Sequence, residues 1–178
     1  MSLPQLAALQ ITTPDAPGFW PTTVLAAAGV ATGLSAGIFA AFQVAIMPGL
    51  KSVNDDAFVA TFQQINRAII NPAFISVFIG APVLLGVATA SWWREDRAVA
   101  TWLGAACILQ IANVVITGRG NIPLNDALDR AGDVTGSQAS TARRAFEAPW
   151  NRLHLIRTAA SVASAVAVGI ATVAAIRA

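Results

Sequence analysis

Of 178 residues, 56% are apolar and only 11% charged, and the mean hydropathy is +0.63. Soluble domains carry roughly a quarter charged residues, so this composition belongs to an integral membrane protein. The net charge of +2, with no dense basic run, excludes nucleic acid as a partner; one cysteine, Cys107, and one histidine, His154, exclude an intrachain disulfide and any zinc, iron–sulfur or multi-histidine site built from one chain.

The chain reads as a single integral membrane domain over residues 1–178. Its first twenty residues hold no Lys or Arg, the first basic residue being Lys51, and they include Pro4, Pro14 and Pro17. A secretory signal needs a basic start followed directly by a short apolar run, so this is read as a retained, loosely ordered N-terminus. An apolar helix of about 20 residues crosses the hydrocarbon core, and four segments qualify: 22–46, 72–92, 99–118 and 155–176. Pro21 and Pro72 stand at the openings of the first two, where proline costs no helical hydrogen bond, and Asn71 caps the second. Trp20, Trp92, Trp93 and Trp102 fall near span ends, the headgroup level that suits an amphipathic ring. In the third span Gly118, Gly120 and Pro123 read as the helix stop, with Asn125 as the cap of the segment after it. The long connection, 119–154, is read as partly helical, with "SQASTARRAFEAPWNRLHLIRT" running into the fourth span through a disturbance at Pro149. Asp126, Asp129 and Asp133 within it are read as solvated. The expected fold is therefore all-α: a polytopic four-helix membrane bundle with a partly helical connection between the third and fourth spans.

Small residues recur at helical spacing, Gly29, Gly33 and Gly37 in the first span and Ala159, Ala163, Ala167, Ala171 and Ala175 in the fourth. Such ridges let helices approach closely. Packing within one chain is the favoured reading, with a homo-oligomer or a larger membrane complex left open. The short loop and both termini carry three basic residues, Arg94, Arg97 and Arg177. The 47–71 and 119–154 side carries eight, Lys51, Arg67, Arg119, Arg130, Arg143, Arg144, Arg152 and Arg157. An excess of Lys and Arg marks the inner side, so both long connections are expected in the cytoplasm and the chain in the cell membrane.

Three polar motifs flank those connections: "FQQINRAIINPAF" from Phe62, "GNIPLN" from Gly120 and "PWNRLHLIRT" from Pro149. In the last, Trp150, Asn151, His154, Arg157 and Thr158 follow i, i+1, i+4, i+7, i+8 and share one helical stripe. Gln63, Asn66 and Arg67 share another, and so do Gln110, Asn113, Thr117 and Asn121, facing Thr32, Ser35 and Gln43 of the first span. Each has a plain structural reading: a cap for Asn71, snorkelling for Arg67 and Arg157, helix-to-helix glue for Gln110 and Asn113, a structural hydrogen bond for His154. Their convergence exceeds what capping requires. Intramembrane amides must face the bundle interior, because an unpaired amide in lipid costs several kcal/mol, so a polar crevice opening toward the 119–154 connection is expected.

Taken together, "FQQINRAIINPAF", the following "FIGAP", "NIPLN" and "WNRLHLIRT" resemble, in order and spacing, the DUF1772 or anthrone oxygenase family of small four-helix membrane proteins. The resemblance covers residues 25 to 175. It implies a cofactor-independent monooxygenase that oxidises an anthrone or a similar lipophilic phenolic aromatic with O₂, with membrane lipid and that aromatic as its partners. It also implies the roles: His154 as base, Arg157 or Arg67 with Asn121 and Asn125 holding the oxyanion, and Trp150 stacking on the flat substrate. Asn151, Gln63, Asn66, Asn113 and Gln110 complete the binding wall. His154 with Met47 leaves a haem or a copper ion open. The rival reading is a non-catalytic protein, either an accessory subunit or a lipid or quinone binder. Transport is weaker still, since no membrane-embedded carboxylate is available for coupling and no inverted repeat is apparent.

Overall fold

The computed structural model describes residues 18–177, so most of the expected N-terminal tail lies outside the described residues. Every element among the described residues is helical. Helix α1, Phe19–Ala41, continues through a π-helical turn, Phe42–Ile46, into α2, Met47–Lys51. Then come α3, Asp55–Ile69, α4, Pro72–Trp92, and α5, Arg97–Ile116. A second π-helical turn, Thr117–Asn121, leads into α6, Ile122–Arg130, and α7 runs from Gly136 to Arg177. Starts are set by short polar side chains: Asn54 Oδ1 accepts from the Ala57 N–H, Asn71 Oδ1 from Phe74, and Asp96 Oδ1 from Ala98 and Val99. Pro72 follows its cap at the first helical position, as expected.

Among the described residues four stretches are long and apolar enough to cross a membrane: Phe19–Lys51, Pro72–Trp92, Arg97–Arg130 and Gly136–Arg177. They form a helical membrane bundle. Helix α1 packs on α4 and α7, and α5 packs on the same two, so the four spans close into a ring. The amphipathic α3 lies against α6 and α7 at one end.

Two boundaries differ from the sequence reading. The third span does not stop at Gly118 and Gly120; it passes through "TGRGN" as a π-helical turn and reaches Arg130. Gly120 serves close approach instead, because a Cβ there would stand 2.7 Å from Leu153 Cδ1. Nor does Pro149 interrupt α7, whose 42 residues at 1.5 Å each extend roughly 60 Å, about twice the hydrocarbon thickness. The carbonyl that Pro149 deprives of a donor belongs to Ala145, on the exposed face.

The core has two parts. One joins Leu25, Ala28, Leu85, Ala88, Leu103, Ala106, Val168 and Ala171 across all four spans. The other, at the end where α3 lies, joins Met47, Phe58, Phe62, Leu128, Phe146 and Trp150. Trp92, at the end of its span as expected, is in the first and turned inward: it is 1% exposed and its indole N–H donates to the Pro21 carbonyl at 3.0 Å. Trp20, Trp93 and Trp102 are exposed at span ends. The small-residue ridges are only partly used. Gly29 meets Val168, but a Cβ on Gly33 or Gly37 would touch nothing, and Ala159 and Ala163 are exposed while Ala167 and Ala171 are buried. Ser161 and Ser164 make the close contact at mid-helix, through Asn113 and the Ala106 carbonyl.

Candidate functional site

Between the two core clusters lies a layer of polar side chains, and beside it a cavity of about 200 Å³. Its walls come from the end of α1 (Ile38, Phe39), the first π-turn (Phe42), α3 (Phe62, Ile65, Asn66, Ile69), the start of α4 (Phe74, Phe78) and α7 (Trp150, His154, Arg157). Thr117, the first residue of the second π-turn, and Asn125 of α6 complete it. Both π-turns thus open on a cavity-lining residue, Phe42 and Thr117. Such turns recur at functional sites, because the extra residue redirects a side chain that a regular helix would point elsewhere. The lining is mainly apolar and aromatic, with a few polar groups, and not the polar crevice that the amide stripes predict.

His154, Arg157, Trp150, Asn125 and Asn66 line this cavity together. His154 is 1% exposed and sits among aromatic rings, stacked on Trp150 at 4.7 Å between centroids and flanked by Phe39 and Phe42 at 6.0 and 6.1 Å. Arg157, one turn on, donates from Nε to His154 Nδ1 at 3.2 Å and from Nη1 to Thr117 Oγ1 at 3.2 Å. Its guanidinium also lies 4.9 Å from the Phe39 centroid and 5.0 Å from that of Trp150. No carboxylate pairs with it among the described residues, so the cation is held by ring faces and neutral acceptors. Thr158 Oγ1 donates to the His154 carbonyl at 2.8 Å, which leaves its lone pairs toward Nε2 at 3.4 Å. The pattern fixes the neutral imidazole as the Nε2–H tautomer, with the Nδ1 lone pair on Arg157. Both ring nitrogens are engaged by protein, and Met47 packs in the aromatic cluster.

The rest of the expected wall goes elsewhere. Gln63 reaches the carbonyls of Leu128 and Gly132 at 2.8 and 3.1 Å and closes the C-terminus of α6, where Gly132 adopts φ +68°. Arg67 pairs with Asp129 at 2.7 Å on the surface, so Asp129 is not merely solvated. Asn113 donates to Ser161 at 2.7 Å and accepts from Thr117. Asn121 donates to the Trp150 carbonyl at 3.3 Å, and Asn151 is half-buried outside the cavity. Asn125 is no cap: its Nδ2 donates to Asn66 Oδ1 and its Oδ1 accepts from Trp150 Nε1, each at 2.8 Å. Trp150 stacks on His154, meets Phe62 in a T-shaped contact at 5.1 Å between centroids, and lines the cavity. Deeper in the bundle, Thr32, Ser35, Gln110 and Asn121 hold buried polar atoms without a protein partner among the described residues, Gln110 both of its amide atoms.

The aromatic walls Phe39, Phe42, Phe74 and Phe78 were not among the expected site residues, although Phe78 opens the "FIGAP" motif. Phenylalanine in an apolar span carries no mark that separates a cavity wall from a lipid-facing side chain; Phe74, inside "INPAF", and Phe78, at the head of "FIGAP", had a local signal, and Phe39 and Phe42 had none.

No curated protein and no solved structure matches the chain. A family model described as "Anthrone oxygenase" matches residues 62–167, more than half of the chain and the stretch that supplies α3, α4 and α7 to the cavity. The chain belongs to the anthrone oxygenase family.

Proposed function

We propose that the protein is a membrane-embedded monooxygenase that oxidises a lipophilic anthrone-like or phenolic aromatic with O₂, without a redox cofactor, and that His154 is the base. What carries the reading is the His154–Arg157 pair, buried at the wall of an aromatic cavity inside a membrane bundle of this family. An anthrone-type substrate has an acidic CH₂ across the ring from its carbonyl. Removal of that proton gives an enolate that transfers an electron to O₂, and recombination forms the C–O bond of a peroxide anion. Return of the proton, loss of the second C–H proton and cleavage of the O–O bond then give the quinone carbonyl and one water. The chain has to take up a proton, hold negative charge and exclude water.

His154 and Arg157 do this by exchange. At rest the Nδ1 lone pair is occupied by Arg157, through a bond at the long end of the range. Negative charge developing on the substrate draws the guanidinium off the imidazole, which frees Nδ1 for the proton and brings the cation to the oxyanion. Placing a base contributes about 10²- to 10⁴-fold, and an oxyanion donor about 10²- to 10³-fold. The apolar walls strengthen both by keeping the local dielectric low.

Purified protein given an anthrone under air is expected to consume O₂ and form the anthraquinone. His154→Ala should cut turnover by about 10²- to 10⁴-fold while the helical circular dichroism stays unchanged. Turnover unchanged in His154→Ala would reject the assigned base. One observation favours a second reading: both imidazole nitrogens already have protein partners, as in a binding site for a lipid or quinone with no chemistry. A lipid or quinone that co-purifies stoichiometrically, with no O₂ uptake on any aromatic offered, would select that binder, alone or as a subunit of a larger complex. We also place the cavity end toward the cytoplasm, in the cell membrane, on the eight-to-three excess of basic residues at that end. Labelling of single cysteines introduced at Ser140 and Ser91 with Cys107 replaced by Ser, in intact cells, tests it: only the Ser91 position should react with an impermeant reagent.

A further inference from the structure

The cavity has a second polar feature, and its direction is fixed by one group that cannot be reversed. An indole N–H only donates, so the atom of Asn125 facing Trp150 Nε1 at 2.8 Å has to be its carbonyl oxygen. That orients the Asn125 NH₂ outward, 2.8 Å from Asn66, and the atom of Asn66 receiving it has to be Oδ1. Asn66 Nδ2 is then the end of the chain. Among the described residues it donates to nothing, and Asn66 lines the cavity. His154 lies over the face of the Trp150 ring, while the two amides hang from its N–H edge, so the indole separates the base from the free donor.

We infer that Asn66 Nδ2 binds an oxygen of the substrate, and that Trp150 and Asn125 are positioning residues that keep this donor turned into the cavity. This rests on the oxygenase reading for its substrate class. The ligand it selects is a planar aromatic with an acceptor oxygen set across the ring from the carbon that His154 addresses. In such a molecule the enolate charge delocalises onto that oxygen, so the Asn66 donor bonds more strongly to the enolate than to the neutral ketone. Asn125, expected from the family resemblance to hold the oxyanion itself, acts one step behind.

The test is anaerobic equilibrium binding of anthrone and of 9,10-dihydroanthracene, the same ring system without the oxygen, to the protein in lipid nanodiscs. Wild type should prefer anthrone by about tenfold, the value of one hydrogen bond. Asn66→Asp, which offers only acceptors when ionised, should abolish the preference, read as the ratio of the two affinities in the same variant. Asn125→Asp should do the same with Asn66 intact: the new carboxylate still accepts from Trp150, and it turns the Asn66 NH₂ away from the cavity. Asn125→Gln, which keeps donor and acceptor, should restore part of it. A structural role for the amides would weaken both ligands alike, and that result overturns the inference, as does a preference that survives Asn66→Asp or is absent from wild type. The two readings fail separately. A protein that prefers anthrone but never consumes O₂ keeps the donor and loses the oxygenase, and one that turns anthrone over equally well after Asn66→Asp keeps the oxygenase and loses the donor.

Discussion

The two ends of α7 solve opposite problems. From Ser161 to Ala171 it buries small side chains against α1 and α5: Ser164 bonds the Ala106 carbonyl, Val168 meets Gly29, and Ala171 is fully buried. Nothing there is large enough to prop the helices apart. From Phe146 to Arg157 it buries two aromatic rings, an imidazole and a guanidinium. Flat rings meeting edge to face and a cation held on ring faces do not interlock as alanine and leucine do, and the space left over is the cavity. One stretch therefore packs the spans away from the cavity, and the other packs them and forms the cavity wall at once.

Substitutions separate these roles. Trp150→Ala should have the largest effect, about 3–5 kcal/mol of stability together with loss of ligand binding, because the indole packs Phe62, stacks on His154 and orients Asn125. Leu103→Ala, on α5 in the core cluster that the small-residue part of α7 joins, should cost about 2–5 kcal/mol in thermal or denaturant unfolding in detergent, yet leave turnover per folded molecule unchanged. Equal loss of turnover in both would erase the distinction between the ends. Gly120→Ala should cost about 1 kcal/mol, the low end for overpacking, since only the tip of Leu153 has to move. Arg67→Ala should shift unfolding least, by about 0–1 kcal/mol, because its pair with Asp129 is half exposed and screened by water.

The same contrast explains what the sequence made legible. Spans are a property of composition along the chain, so their number and order follow from hydropathy, and the caps at Asn71 and Asp96 follow from local hydrogen-bonding chemistry. The π-turns do not, because a break such as "TGRGN" looks like a helix stop until α7 packs against it and Gly120 admits Leu153. Helical spacing did bring Trp150, His154 and Arg157 to one stripe, since spacing within a helix is local. Which amides on neighbouring stripes reach the cavity is not local. Gln63 and Asn66 differ by less than one turn of α3, yet one closes the end of α6 and the other lines the cavity. The fully buried Gln110 shows that an interior-facing amide can lie in the bundle core without touching the site.

In the proposed oxygenation this cavity directs O₂ onto a carbon acid. The most direct test is turnover of an anthrone under isotopically labelled O₂ by purified protein treated with a metal chelator. The expected result is one labelled oxygen in the quinone and the other in water, with incorporation falling to the uncatalysed rate in His154→Ala. Quinone that carries no label, or label that enters equally fast with His154→Ala, would contradict it.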